Sequence, residues 1–183
     1  METLNKVSTK WTLDPSHSEL LFKVKHLMIT NVKGEFRDFS ASYKGEGESI
    51  DAASIRAEID ASSIFTNNED RDNHLKSGDF FDAEQHPKLL FQGKSMEKKG
   101  ENEFLLKGEL SIKERSVDIA LDVEFGGVAT DPWGNKKAGF SISGKINRKD
   151  FGLTWNQALE SGGVLVGEEV KLMAELQFAT SEE

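Results

Sequence analysis

Apolar and polar residues alternate with period two through almost the whole chain, and a chain written that way folds into strands that each bury one face. Leu20, Phe22 and Val24 alternate with Lys23 and Lys25, and Ile55, Ala57 and Ile59 with Arg56, Glu58 and Asp60. Phe104 to Ile112, Val117 to Phe125, Ala138 to Ile146 and Val170 to Phe178 repeat the pattern at greater length, and shorter runs surround Leu89–Phe91 and Phe36–Tyr43. Eight strands are predicted. The second carries a phase slip at Arg37 and Asp38, which predicts a bulge. Connections between the later strands are short: Lys98–Asn102 around Gly100, Lys113–Ser116, and Asp131-Pro132-Trp133-Gly134, with proline and glycine at the turn positions that favour them. Neighbours joined so tightly pair antiparallel, and closing the sheet on itself leaves no unpaired edge. The expected fold is all-β, an eight-stranded antiparallel up-and-down barrel.

One stretch, about 62–87, breaks the alternation and reads as a helical insertion near one mouth. Thr66 and Glu69 have capping-box spacing, which predicts a helix from Asn67 to Lys76, with Gly78 as its left-handed terminator. Leu75 is its only large apolar residue. Phe80 and Phe81 must therefore anchor it, as a lid over the barrel.

Composition removes several function classes. The 183 residues suit one domain, and a formal charge of −9 argues against nucleic acid or an anionic membrane as partner. Without cysteine there is no disulfide, thiolate metal site or cysteine nucleophile. No apolar run is long enough to span a bilayer and no leader follows Met1, so a cytoplasmic location is expected.

An eight-stranded barrel is either filled by its own side chains or holds one small guest. The inward faces here mix Phe22, Phe36, Phe91, Phe104, Phe140 and Phe178 with Ala41, Ala57, Gly93, Gly108, Ala138, Gly144 and Ala174. Small residues that fit the taper of a solid barrel and small residues that leave an apolar tube are both compatible with that mixture. Polar residues are nearly absent inside, so a guest would be a hydrocarbon. Outward Leu90, Leu105 and Met173 offer either a face for a homodimer or a surface for the underside of the lid.

The four histidines, His17, His26, His74 and His86, match no zinc signature. A metal-assisted hydrolase using His17, His74 or His86 is the alternative function. Asp14, Ser16 and His17 are too close along an extended chain to build a catalytic triad. Arg148, Asp150 and Trp155 lie between the last two strands, where they either line a mouth or pack a corner.

In order along the chain, Trp11-Thr-Leu-Asp14 with His17-Ser18, Phe22-Lys-Val-Lys-His-Leu27, Val32-Lys-Gly-Glu-Phe36, Arg71-Asp72 with His74-Leu75, Phe80-Phe81-Asp82 and Asn147-Arg148 with Asp150-Phe-Gly-Leu153 resemble the YceI-like, polyisoprenoid-binding proteins. The resemblance covers Trp11 to about Phe178. It leaves 1–10 as an N-terminal extension and 11–180 as a single barrel domain. It implies a hollow, lipocalin-like barrel that binds, sequesters or transports a polyisoprenoid, isoprenoid quinone or fatty-acyl chain without catalysis, and with no cofactor other than the lipid. Phe22, Phe36, Leu75, Phe80, Phe81, Phe91, Phe104, Phe140 and Trp155 would line the pore, with His17, Arg71, His74 and Arg148 at a polar mouth. Two departures stand out: many family members carry a leader, and Glu114 replaces the usual glycine in the turn after the fifth strand, where glutamate disfavours a positive φ.

Overall fold

The computed structural model describes residues 9–46, 48–159 and 163–180; most of the expected 1–10 extension lies outside them. The eight expected strands are present as staves of a closed antiparallel barrel, but the first three are each broken into two. The first stave is β1 (Lys10–Leu13) and β2 (Glu19–His26), the second β3 (Thr30–Phe36) and β4 (Phe39–Glu46), the third β5 (Ser49–Asp60) and β6 (Ile64–Phe65). The remaining five run unbroken: β7 (Lys88–Gly100), β8 (Glu103–Ile112), β9 (Arg115–Thr130), β10 (Lys136–Asn147) and β11 (Val166–Thr180).

Each stave pairs with its neighbour in sequence, and β11 closes the ring by pairing with both halves of the first, at Leu13↔Phe178 with β1 and at Phe22↔Leu172 with β2. The phase slip at Arg37 and Asp38 is therefore a break rather than a bulge. Below it β4 pairs with β1 and β5; above it β3 pairs with β2 and β6. All three breaks fall at one level of the barrel. Short 3-10 turns at Pro15–His17 and Ala61–Ser63 interrupt the outer two, each opened by an aspartate, Asp14 or Asp60, whose side chain accepts from the backbone N–H two residues on. Pro15 has no N–H to give a ladder, so the strand cannot continue through it.

Five aromatics seal the lower end. Tyr43 meets Trp11, Phe140 and Phe178 at centroid distances of 6.0, 5.6 and 4.9 Å, and Phe125 lies 5.2 Å from Phe140. The Trp11 indole N–H donates to the Gly45 carbonyl at 3.0 Å, so its polar edge is satisfied. Two glycines have a specific steric purpose higher up. A Cβ at Gly34 would overlap the ring of Phe22 on the adjacent strand, and one at Gly108 the ring of Phe91. Gly34 directly opposite Phe22, and Gly108 diagonal to Phe91, let each ring lie flat against the wall.

The hairpin turns follow their sequences. Gly134 donates to the Asp131 carbonyl at 3.0 Å, closing the proline turn. In the turn between β8 and β9 the positive φ falls on Lys113, at 57°, and Glu114 is spared it.

The helix α1 (Glu69–Lys76) starts two residues later than expected, because Asn67 is left-handed at φ 63° and Asn68 is the cap, its side chain accepting from the Arg71 N–H. Thr66 serves another purpose: its N–H and hydroxyl both donate to the buried Asp72 carboxylate. Nor does Gly78 terminate the helix. Ser77 does, in an extended conformation, with its N–H on the His74 carbonyl. The anchoring is as expected: Phe80 is buried, Phe81 meets Phe36 edge-on at 5.8 Å, and Leu75 packs on the core.

Candidate ligand cavity

Above the aromatic base the barrel is hollow. A cavity of about 390 Å³ runs from Tyr43, Phe140 and Phe178 up to α1 and the segment after β10, within the size range of small-molecule sites. Its walls are the inward faces of the staves, so period two places its lining: Leu20, Phe22 and Val24 from β2, Phe36 from β3, Phe91 from β7, Ile142 and Ile146 from β10. Leu75, Phe80, Phe81 and Trp155 cover it from the lid side. Of the nine expected pore residues, only Phe104 lies outside the lining; it is buried on β8 opposite Val123.

The polar mouth is rearranged. His17 does not line the cavity: it sits in the 3-10 turn on the wall, exposed, with Nδ1 2.8 Å from an Asp14 oxygen. The Ser16 hydroxyl and then His17 hold the Asp14 carboxyl below its ordinary pKa. Arg148 does line it but is only 4% exposed, and it donates to the carbonyls of Leu153, Gly167, Trp155 and Val166 at 2.6, 2.7, 2.9 and 3.2 Å. Corner and mouth are thus one place: this guanidinium ties Leu153 and Trp155 to Val166 and Gly167 at the top of the barrel. Burial lowers its pKa, and Glu168 works in the opposite direction.

Arg71 is placed differently. It donates from Nε to the Thr66 hydroxyl at 2.8 Å and from Nη2 to the Thr66 carbonyl at 2.6 Å. Among the described residues no carboxylate lies within 4 Å of it. His74 stands beside it, 4.6 Å from the Trp155 ring and 5.1 Å from Phe80, with Nε2 2.9 Å from Asp79. Lys25, His26 and Arg56 are the other basic residues of the lining. Acidic side chains outnumber Lys and Arg by 32 to 23 in the chain, yet no aspartate or glutamate lines the cavity. Among the described residues no three His, Cys, Asp or Glu side chains gather as a metal site would require.

The sequence profile of the YceI-like domain matches residues 11–178. The chain belongs to the YceI-like family. Among curated relatives, this YceI-like chain is 43% identical to a UPF0312 protein of Staphylococcus epidermidis over 172 residues, 93% of this chain and 98% of that one. It is likewise 43% identical to one from Staphylococcus aureus over 175 residues, covering 95% and 99%. The crystal structure of the Campylobacter jejuni YceI protein matches with a TM-score of 0.73 at 36% identity, covering 100% of this chain and 99% of that one. A polyisoprenoid binding domain from Saccharophagus degradans shares the fold, with a TM-score of 0.66 at 14% identity and coverage of 93% and 98%.

The YceI-like barrel also recruits residues that strand patterns did not single out. Val32, Leu165 and Val166 line the upper cavity beside His26. Val166 opens β11 opposite His26, before a register shift that ends at Val170. Alternation alone cannot carry a facing assignment across such an irregularity.

Proposed function

We propose that this barrel binds and carries a single long apolar chain, of polyisoprenoid, isoprenoid quinone or fatty-acyl type, with its polar end held near Arg71 and His74. The observation that carries the reading is a tube with apolar walls and an aromatic floor, whose charged lining residues are all basic. Such a site suits a hydrocarbon tail with a neutral or anionic head. Burial of the tail contributes about 0.8 kcal/mol per methylene, so about ten carbons are enough to offset the cost of association. Binding of that kind requires no catalyst. The kinship of fold with a polyisoprenoid binding domain supports the same reading.

Native mass spectrometry of the purified protein, before and after delipidation, tests it. A one-to-one adduct with a co-purified or added prenyl or acyl ligand is expected; a barrel that stays empty across both series refutes the proposal. Arg71→Ala should weaken chains with an anionic head by about tenfold, the loss of roughly one charged hydrogen bond, and leave neutral chains nearly unchanged. Equal losses for both would remove Arg71 from the headgroup site.

A further inference from the structure

We propose that the β2–β3 end of the barrel docks on an anionic lipid surface. Between these strands Leu27, Met28 and Ile29 stand 39%, 52% and 76% exposed, three consecutive apolar residues at a hairpin tip. Leu27 and Met28 both hold left-handed backbone, at φ 55° and 64°, and the Ile29 N–H donates to the His26 carbonyl across them. Asparagine and glycine occupy such a turn without strain, whereas bulky apolar residues are out of place there both conformationally and in water. A requirement for apolar side chains at the tip accounts for both anomalies.

The charge beneath the tip is equally specific. Lys33 pairs with Lys23, Lys23 with Lys171, and Lys171 with Lys145, so four lysines stand side by side across four strands. Like charges directly opposite one another destabilise a sheet. Among the described residues only Lys145 has a carboxylate within reach, Glu169 at 3.4 Å. Two acids close to the row are paired elsewhere, Glu168 with Lys149 and Glu35 with Arg37. Four residues lower on the same wall the sign reverses, with Glu19 opposite Glu175. The wall is polarised, basic toward the tip and acidic away from it.

The dimensions fit a bilayer. Lys23 and Lys33 lie three register steps from the His26–Thr30 pair, about 10 Å below the base of the tip at the strand rise. An element seated about 5–10 Å into the headgroup and acyl boundary would therefore bring the lysine row to the lipid phosphates. The overall charge of −9, which by itself argues against an anionic membrane, is outweighed at the contact, because at physiological salt charges beyond about 8 Å are screened and the local row governs. The tip is also joined to the cavity: Val24, His26 and Val32 line its upper wall, and the Leu27 N–H donates to the Leu165 carbonyl at 2.8 Å. Docking would bring the barrel's rim onto the bilayer that supplies or receives an apolar guest, whichever guest that is.

Co-sedimentation of the full chain with phosphatidylcholine vesicles, with and without phosphatidylglycerol, tests the surface. Binding is expected only with phosphatidylglycerol present, and it should fall as sodium chloride is added. Lys33→Gln and Lys171→Gln should each weaken partition by about fivefold. Met28→Asp combined with Ile29→Asp should abolish it while leaving the thermal melt and the uptake of a detergent-delivered prenyl chain unchanged, which separates loss of docking from loss of the cavity. The proposal is overturned by equal partition onto neutral vesicles, by no partition onto anionic ones, or by full binding of the tip variant. It is also overturned by a solution dimer that Ile29→Asp dissolves, which would give the tip to a second copy of the chain.

Discussion

Arg148 and Tyr43 occupy opposite ends of the barrel, and each is defined by what burial does to a polar group. Arg148→Met keeps the stem and removes the donors, leaving four carbonyls to find partners at about 1–3 kcal/mol for each that fails. A loss of at least about 3 kcal/mol in urea unfolding is expected; a loss below about 1 kcal/mol would show that water replaces the guanidinium. Tyr43 is the single tyrosine of the chain, and burial raises its phenol pKa well above the ordinary value. The neutral phenol is the form the fold accepts, so its contribution is complete below the unfolded pKa of about 10. It is lost as pH rises from there toward the folded value, because the unfolded chain ionises first. Phenolate absorbance should thus appear only with unfolding, and Tyr43→Phe should resist alkaline unfolding better than the parent; a phenol that titrates near 10 in the folded protein would contradict this. Neither role was legible from neighbours in sequence. The stretch around Arg148 suggested a mouth or a corner, and which carbonyls it serves depends on a segment 5 to 19 residues away.

At the level of elements, α1 is a helix that its own sequence barely supports. It is pinned by Phe80, Phe81 and Leu75, which were visible as the only large apolar residues within the helix or just after it. Its start was misread because Thr66, with a capping residue's chemistry, is used instead by Asp72 and Arg71, while Asn68 caps. Capping spacing is a local signal, and a tertiary hydrogen bond to the same hydroxyl overrides it. Phe81→Ala removes the edge contact with Phe36; a half-buried ring suggests a cost of about 2 kcal/mol. If α1 is the lid, the same variant should release a bound chain faster, measured as a rise in koff by displacement fluorescence. An unchanged koff would show that guests leave by another route.

For the whole molecule, the cavity links stability to occupancy. A guest that binds only the folded barrel raises its stability by about 2.7 kcal/mol at a concentration one hundred times Kd. Delipidated protein should melt lower than loaded protein and recover when a prenyl or acyl chain is restored; identical melts would mean that nothing which binds the fold was removed. The number of staves, their order, the inward face of each regular run and the place of the α-helix were present in the residues. Alternation is a property of consecutive side chains, and short turns permit only neighbour pairing. Whether the enclosed space is filled was not present there. That depends on how Phe22 and Phe91 lie flat over Gly34 and Gly108, on three breaks falling at one level, and on one arginine drawing a distant segment across the top. Hollowness is a balance of volumes summed over all eight staves at once, and no stretch of sequence contains that sum.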